Sequence, residues 1–264
     1  MHPKKSLGQN FLKCQWVIDA LIEAGEVTKK DTVLEMGPGT GVLTRPLAKH
    51  AEKVVALEKD EALADILSKN LKAENINNVE VIEGDILKEY CSLISRYAEN
   101  ETSIKIVANI PYYLTSHLFR IIFETNDKPK LVLFTIQKEV AERITAKPPS
   151  MSMLALSIQA YGTPTIIKNV PASCFSPVPK VDSSIIKISE ISNNFFLKTS
   201  ITEKMFFEIS KLGFSSKRKQ LIGNLSKRFP KEKLISLFSE LNINPQIRAE
   251  ALTKEDWAKI IKHF

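Results

Sequence analysis

The sequence predicts an α/β fold built on a mainly parallel seven-stranded sheet, followed by a small all-α domain. Three observations carry this prediction. Short runs rich in Val and Ile alternate with helix-like stretches, glycines cluster directly after the first run, and strand signals stop near residue 193. Apolar strands separated by crossover-length helices are typical of a parallel sheet covered on both faces. A chain of 264 residues with 44% hydrophobic content is large enough to bury such a core.

Strands and helices alternate through the first part of the chain. The predicted strands are Thr32–Met36, Lys53–Glu58, Val79–Glu83, Ile104–Ala108, Leu131–Ile136, Leu156–Tyr161 and Ser183–Ile188. The helices predicted between the early strands are Val42–Lys49, Glu61–Lys72 and Thr115–Glu124. The late strands follow one another without an obvious helix, so an antiparallel pair is expected to close the sheet.

Amphipathic helices alone are predicted after the strand signals stop. They are Glu203–Lys211, Lys217–Arg228, Lys231–Leu241 and Thr253–Lys262. Breaks at Gly213, Phe229-Pro230 and Asn242–Pro245 separate them. We therefore expect one domain over residues 1–192 and a helical domain over residues 193–264.

The positive charge of the chain lies in this helical domain. The whole chain has 37 Lys and Arg against 30 Asp and Glu, and residues 193–264 contain 14 basic and 7 acidic residues. The surplus of +7 suggests a polyanionic partner, although on charge alone a solvated helical surface is an equal alternative. The clustered basic residues favour contact with an RNA phosphate backbone. They are Lys217, Arg218, Lys219, Lys227 and Arg228, predicted to lie on one helix.

Several classes of protein are disfavoured. No apolar run approaches the roughly 20 residues needed to span a bilayer, and no apolar segment follows Met1–Lys5, so a secretory signal is not expected. The three cysteines, Cys14, Cys91 and Cys174, are far apart and fit neither a disulfide framework nor a metal site. A cytoplasmic protein without a metal is therefore expected.

A glycine-rich loop follows the first predicted strand. Gly37, Gly39 and Gly41 allow a ligand to approach the backbone closely, and the next helix directs its free N–H groups into the same crevice. A dinucleotide fingerprint needs its third glycine one position later, where Val42 stands. A phosphate or carboxylate site is thus indicated, and a merely tight strand–helix turn is the alternative.

Two acidic residues end the next two strands. Glu58 stands where a carboxylate can accept hydrogen bonds from both ribose hydroxyls, and Asp85 can accept one from an adenine amine. Each alone is typical of a solvated loop, but with the glycine loop they indicate one ligand site at three adjacent strand ends. A ligand with an adenosine and an amino-acid carboxylate fits, and S-adenosylmethionine has both.

The fourth predicted strand ends abruptly in Asn109-Ile110-Pro111-Tyr112. Pro111 has no N–H and keeps Ile110 extended, so the segment presents the Asn109 side-chain oxygen and the Ile110 carbonyl as acceptors. Two acceptors can turn the lone pair of an adenine N6 amine out of the ring plane, toward an electrophilic methyl group. Tyr112 offers a face on which a base can stack. A proline-terminated strand with tyrosines packed beneath it is the alternative.

These residues resemble those of the ribosomal RNA small-subunit adenine N6,N6-dimethyltransferase family, and the resemblance covers nearly the whole chain. The matching motifs are Lys5–Leu12, Glu35–Gly41, Asn109–Tyr112, Gln137–Arg143, Phe175–Ser183, Phe214–Leu221 and Arg248–Glu250. The resemblance implies a class I, Rossmann-like, S-adenosylmethionine-dependent methyltransferase in residues 1–192 and an RNA- or ribosome-binding domain after it. The implied activity is N6,N6-dimethylation of two adjacent adenosines near the 3′ end of 16S rRNA in an immature small subunit, by a cytoplasmic monomer.

The resemblance also implies roles for individual residues. S-adenosylmethionine would contact Asn10, Leu12, Gly37, Glu58, Asp85 and Asn109. The target adenine would be held by Asn109, Pro111 and Tyr112, with Phe175 stacked on its other face. Gln9–Phe11 would form a partly mobile lid over the cofactor.

The chain departs from the family pattern at two places. Cys14 stands where the family usually has an acidic residue, which suggests a weaker helix N-cap. Pro149–Leu154 replaces a stretch containing glycine and tyrosine, which leaves the shape of the loop near the target base open.

Two other functions remain as alternatives. One is the related 23S rRNA methyltransferase that confers macrolide resistance, against which Gly8 and Phe214–Leu221 argue. The other is a non-enzymatic ribosome assembly factor on the same fold, which would bind RNA without transferring methyl groups.

Overall fold

A computed structural model of the protein describes residues 8–98 and 103–264. The chain divides into two compact units. The first contains the described residues up to Ala141 together with Thr163–Ile191, and the second contains Glu142–Gly162 together with Ser192–Phe264. The predicted boundary lies next to the Ile191–Ser192 junction. The second unit, however, also takes in residues 142–162, which the prediction had assigned to the first domain.

A seven-stranded sheet forms the centre of the first unit. In chain order, the strands of the described residues are β1 (Phe11–Leu12), β2 (Asp31–Met36), β3 (Lys53–Glu58), β4 (Val79–Glu83), β5 (Ser103–Asn109), β6 (Leu131–Gln137), β7 (Thr163–Val170), β8 (Phe175–Ser176) and β9 (Ser183–Ser189). Of these, β1 and β8 lie outside the seven-stranded sheet. The sheet has the order β4-β3-β2-β5-β6-β9-β7. The first five of these strands are parallel, and β9 is antiparallel to both β6 and β7. The predicted parallel sheet with an antiparallel closing pair is confirmed.

Helices cover the sheet and make up the second unit. They are α1 (Gln15–Gly25), α2 (Thr44–His50), α3 (Glu61–Ala73), α4 (Ile86–Ala98), α5 (Thr115–Glu124), α6 (Lys138–Thr145), α7 (Met153–Gln159), α8 (Asn194–Thr199), α9 (Glu203–Gly213), α10 (Leu221–Leu225), α11 (Lys231–Glu240) and α12 (Lys254–Ile261). Successive residues of β3, Val54, Val55 and Ala56, are each 0% exposed. Both faces of the central strands are therefore covered, as their continuous apolar sequence predicts.

The predicted strand over Leu156–Tyr161 is wrong. Residues 156–159 lie in helix α7 of the second unit, Ala160 and Tyr161 follow that helix in a turn, and the seventh strand of the sheet is β7 instead. Ser152 caps this helix, because its hydroxyl accepts a hydrogen bond from the Ala155 N–H at 3.1 Å. A short apolar run does not distinguish a buried strand from a buried helix, and here the serine cap was the signal that sequence reasoning missed.

A short antiparallel ribbon joins the N-terminal segment to the segment before β9. In this ribbon β1 pairs with β8, with Leu12 opposite Phe175. Beside it, Cys14 and Cys174 form a disulfide with an S–S distance of 2.16 Å and a Cα–Cα distance of 5.1 Å. The prediction that the cysteines form no disulfide is therefore wrong. The two residues are 160 positions apart, and only the ribbon brings them together.

Cys14 is also the N-cap residue of α1, and its side chain makes no capping hydrogen bond. This agrees with the expected weaker cap.

Pro149–Leu154, the second departure from the family pattern, lies in the second unit.

The basic cluster of the second unit lies on turns, so the predicted helix Lys217–Arg228 is wrong. Only Leu221–Leu225 is helical, with Lys217–Lys219 before it and Lys227 and Arg228 after it. Asn224, which is 0% exposed, explains the interruption. Its amide donates hydrogen bonds to the carbonyls of Gly213 at 2.6 Å and Ser216 at 3.1 Å. These bonds fold the preceding segment into a turn. The other three predicted helices correspond to α9, α11 and α12.

Within residues 8–98 and 103–264, no helix combines the length and apolar character needed to cross a membrane. The same residues include no group of three or more His, Cys, Asp or Glu side chains placed to hold a metal ion.

Candidate active site

A cleft in the first unit lies at the carboxyl ends of β2, β3, β4 and β5. It contains about 1070 Å³ of space, its open mouth included. Its walls are the glycine loop after β2, the ends of β3 and β4, the segment after β5, and the N-terminal residues Gly8–Leu12. The carboxyl edge of a parallel sheet is where ligands of α/β folds bind.

The glycine loop is shaped by left-handed backbone conformations. Gly37 has φ +70° and Gly39 has φ +57°, values that side-chain-bearing residues rarely adopt. A Cβ added to Gly39 would lie 2.9 Å from a ring carbon of Phe11, so the N-terminal ribbon packs directly on the loop. A Cβ at Gly37 would meet nothing within 4 Å, so this backbone faces open space and a ligand can approach it.

Glu58 connects the glycine loop to the end of β3. Its Oε2 accepts a hydrogen bond from the Gly39 N–H at 3.0 Å, and its Oε1 accepts one from the Asp60 N–H at 2.9 Å. The residue is only 6% exposed. Two backbone donors therefore hold the carboxylate in one orientation at the wall of the cleft, and each oxygen retains a lone pair for a ribose hydroxyl.

Glu35, the next-to-last residue of β2, is a second buried carboxyl group and has no role in the sequence-based predictions. It is 2% exposed, and its Oε2 has no hydrogen-bond partner among the described residues. Burial raises the pKa of Glu35 to about 8, the Thr44 hydroxyl opposes this shift, and the Glu58 charge adds to it. The carboxyl group is therefore mostly neutral at pH 7. The sequence signal that could have revealed Glu35 is its position just before the glycine-rich loop.

Asp85 lies two residues after the end of β4 and is held by two partners. Its Oδ1 accepts a hydrogen bond from the Leu87 N–H at 3.0 Å, and its Oδ2 lies 2.7 Å from the Lys59 Nζ. The Lys59 hydrogen bond is the largest of the causes that lower the pKa of Asp85. Lys59 also lines the cleft. No sequence motif marks this lysine.

Asn109, the last residue of β5, is oriented by the N-terminal segment. Its Nδ2 donates a hydrogen bond to the Asn10 carbonyl at 2.9 Å. Because the amide nitrogen is engaged in this way, the side-chain oxygen is the atom that can accept from a ligand. Pro111 follows with φ −59° and begins the short 3-10 turn Tyr112–Leu114.

Tyr112 lines the cleft and is fixed at its far end. Its hydroxyl lies 2.7 Å from the Ser183 Oγ, and Ser183 is 0% exposed at the start of β9. Burial raises the pKa of the Tyr112 phenol, so the ring is a neutral platform at pH 7.

The structure brings most of the predicted site residues together. Those that line the cleft are Asn10, Leu12, Gly37, Glu58, Asp85, Asn109, Pro111 and Tyr112. Phe175 is not among them: it is 0% exposed and belongs to a core cluster that includes Leu12 and Cys174. The structure therefore does not place the Phe175 ring where a target base would stack, because the β1–β8 ribbon directs it into the core.

In the second unit, the five predicted RNA-binding residues are all exposed. Lys227 donates a hydrogen bond to the Ser215 hydroxyl at 2.8 Å, and Arg228 lies 3.3 Å from Glu208. For Lys217–Lys219, the described part of the chain provides no ion-pair partner. These three side chains form what we call the basic turn.

Comparison with known proteins identifies the family. The family model described as Ribosomal RNA adenine dimethylase matches residues 1–264. The Ribosomal RNA small subunit methyltransferase A of Dehalococcoides mccartyi is 38% identical over 263 residues, which cover 99% of this chain and 88% of that protein. The protein of the same name from Listeria monocytogenes is 37% identical over 266 residues, covering 97% of this chain and 89% of the relative.

Solved structures show the same relationship. A dimethyladenosine transferase from Plasmodium falciparum has a TM-score of 0.81 and 28% identity, with 96% of this chain and 97% of that chain covered. A 23S rRNA methyltransferase has a TM-score of 0.73 at 23% identity, with 96% and 98% covered, and shares the fold. The fold is thus that of a Rossmann-like methyltransferase. This chain belongs to the ribosomal RNA adenine dimethylase family, whose members are S-adenosylmethionine-dependent methyltransferases.

Proposed function

We propose that this protein N6,N6-dimethylates two adjacent adenosines near the 3′ end of 16S rRNA in an immature small ribosomal subunit. The observation that carries the proposal is the hydrogen bond from Asn109 Nδ2 to the Asn10 carbonyl, at 2.9 Å. It leaves the amide oxygen of Asn109 as an acceptor in the cleft that also contains Gly37, Glu58 and Asp85. A nucleotide site and an amine acceptor therefore share one cavity.

The cleft residues fit an adenosyl amino acid. The backbone around Gly37 is open to a carboxylate, Glu58 presents two oxygens to ribose hydroxyls, and Asp85 follows the end of the neighbouring strand as an acceptor for the adenine amine. Asn10 and Leu12 cover the same space from the N-terminal ribbon. S-adenosylmethionine supplies an electrophilic methyl group when it is bound there.

Asn109 and the following residues perform the catalytic task by positioning. The Asn109 oxygen and the Ile110 carbonyl accept the two N6 hydrogens of the target base, while Tyr112 provides a stacking face. This arrangement makes the N6 lone pair available, because it no longer conjugates fully with the ring. Bound S-adenosylmethionine would supply the methyl group to this nitrogen, and the surplus N6 proton would pass to water. Pro111 belongs to the proposed site because its ring holds the segment after Asn109 in an extended conformation.

The Phe175 ring has a structural part in this proposal. Its burial against the core anchors β8, and β8 holds β1 over the cleft. We therefore assign the stacking of the target base to Tyr112.

The choice of substrate rests on the relatives. Proteins 37% and 38% identical to this chain are named small subunit methyltransferases, whereas the likeness to the 23S rRNA enzyme, at 23% identity, extends to the fold alone. The exposed basic turn and Lys227 and Arg228 offer cations for phosphate contacts that position RNA without reading sequence. We propose that residues 193–264 act as the RNA-binding domain and that the protein works as a cytoplasmic monomer.

Nucleoside analysis tests this function. Immature small subunits lacking the modification are incubated with the protein and S-adenosylmethionine, and the rRNA is digested and analysed by mass spectrometry. We expect N6,N6-dimethyladenosine at two adjacent positions near the 3′ end. Modification of free large-subunit rRNA instead would support the 23S alternative, and RNA binding without any methyl transfer would support the assembly factor.

A further inference from the structure

Lys59 is a charged residue that lines the cleft, and neither a sequence motif nor the proposed mechanism gives it a role. It follows Glu58 directly, lines the cleft, and places its Nζ 2.7 Å from the Asp85 Oδ2. The Lys59 side chain is 53% exposed, whereas that of Asp85 is 22% exposed. The ion pair therefore lies at the mouth of the cleft, and its ammonium is the partner with access to water.

The ion pair occupies the group that an adenine amine needs. Asp85 Oδ1 already accepts from the Leu87 N–H at 3.0 Å, which fixes the carboxylate at the start of α4. Each oxygen can accept a second hydrogen bond, but at Oδ2 an incoming amine shares the carboxylate with the Lys59 ammonium. A neutral amine is a weaker donor than an ammonium group, so it competes with Lys59 for Oδ2 at a loss of binding free energy.

We propose that Lys59 sets the affinity and base preference of the cofactor cleft. Binding of an adenosyl ligand weakens the Lys59–Asp85 ion pair, because the adenine amine and the ammonium group then compete for the same carboxylate. A ligand with an oxygen in place of the adenine amine binds without this loss, because an ammonium group can donate to that oxygen. The inference rests on the proposed assignment of Asp85 to the adenine amine.

Salt dependence follows from the position of the pair. Exposed ion pairs weaken as ionic strength rises. S-adenosylhomocysteine has no net charge, so its own attraction to the cleft changes little with salt. Its affinity for the wild-type protein is therefore expected to rise with salt, because the competing pair is weakened.

Calorimetric titration of the full chain tests the proposal. With S-adenosylhomocysteine at low salt, Lys59→Met is expected to bind about two- to fivefold more tightly than the wild type, the range typical of an exposed ion pair. The gain should shrink at high salt. With S-inosylhomocysteine, which has an oxygen in place of the amine, Lys59→Met should show no gain. The ratio of adenosyl affinity to inosyl affinity should therefore be higher for Lys59→Met than for the wild type.

Two further variants serve as controls. Lys59→Arg retains the ion pair and should bind like the wild type. Lys88→Met removes an exposed cation near Asp85 that does not line the cleft, and it should leave both affinities unchanged.

Equal or weaker binding of S-adenosylhomocysteine by Lys59→Met, or an equal gain for the inosyl ligand, would overturn the proposal while leaving the methyltransferase function in place. Failure of the wild type to bind S-adenosylhomocysteine would overturn both.

Discussion

The two halves of the cleft are assembled in different ways. On the cofactor side, Gly37, Glu58 and Asp85 follow the ends of adjacent parallel strands, and Glu58 reaches Gly39 only 19 residues away. On the target-base side, Asn109 is oriented by Asn10, which is 99 residues away. The Tyr112 hydroxyl is held by Ser183, which is 71 residues away. The first half follows from strand order, whereas the second depends on segments that only the tertiary fold brings together.

This difference predicts separable defects. Changes on the cofactor side should alter ligand affinity, because in the proposed function the residues there contact the cofactor directly. Changes on the target-base side should alter methyl transfer with little effect on cofactor affinity, because they act on the orientation of the acceptors.

The largest effect is expected for Asn109→Ala. Loss of the acceptor should lower single-turnover methylation by a factor of about 10²–10³, the usual cost of removing a positioned catalytic hydrogen-bonding group. S-adenosylhomocysteine affinity should change only a few-fold. Asn70→Ala, an exposed substitution on α3, is the control. Full methylation by Asn109→Ala would contradict the role of the acceptor.

Removal of the Cys14–Cys174 disulfide tests whether the folded protein depends on a covalent link beside the β1–β8 ribbon. Under non-reducing conditions, Cys14→Ser should lower the free energy of unfolding by about 2–4 kcal/mol, because the link no longer restricts the unfolded chain. Urea unfolding, with thiol counting by mass spectrometry, measures this. Cys91→Ser, which removes the exposed free cysteine, should have no such effect. A reductant should bring the wild type to the stability of Cys14→Ser, and insensitivity to the reductant would argue against the tether.

Glu58→Gln tests the cofactor side. The neutral amide loses the charge-assisted hydrogen bonds to the loop and to the ribose, each of which contributes about 1.5–3 kcal/mol. We expect S-adenosylhomocysteine to bind at least tenfold more weakly by calorimetry. Glu61→Gln, exposed in the first turn of α3, is the matched control. An unchanged affinity would show that the ribose hydroxyls do not contact Glu58.

The smallest effect concerns pH. The pKa of Glu35 is raised to about 8 by burial, so the folded protein holds a proton that the unfolded chain releases above its ordinary pKa. Stability from this group is complete at low pH and is lost as the pH rises toward 8. Between pH 7 and 8 the loss is about 1 kcal/mol.

Urea midpoints at these two pH values should therefore differ less for Glu35→Gln than for the wild type. Glu83→Gln, which is exposed, should retain the wild-type difference. If the urea midpoint changes by the same amount between pH 7 and pH 8 in all three proteins, Glu35 does not titrate in this range.

Much of the cofactor side could be predicted from the sequence. Clustered glycines after an apolar strand and acids at the next two strand ends have a defined spatial consequence, because the carboxyl ends of parallel strands meet at one edge. The role of Lys59 was not predicted, because an exposed lysine after a strand has no distinctive pattern and only the pairing of β3 with β4 brings it to Asp85.

The target-base side and the helical unit were predicted less well. Phe175 looked like a stacking residue from its motif, yet the pairing of Leu12 with Phe175 directs the ring into the core. The run of basic residues around α10 looked helical, but the buried Asn224 uses its amide to hold carbonyls of a turn. A polar side chain that satisfies the backbone overrides helix propensity, and sequence periodicity does not reveal which side chain does so.

The sequence by itself determined the α/β architecture and the meeting of the glycine loop, Glu58 and Asp85 at one edge of the sheet, because these depend on local periodicity and on the geometry of parallel strands. The tertiary structure alone decided which carbonyl accepts the hydrogen bond of the Asn109 amide, which cysteines are joined, and which cation pairs with Asp85. Each of these depends on a contact between residues distant in the chain, whose energy is gained only after the segments have packed together.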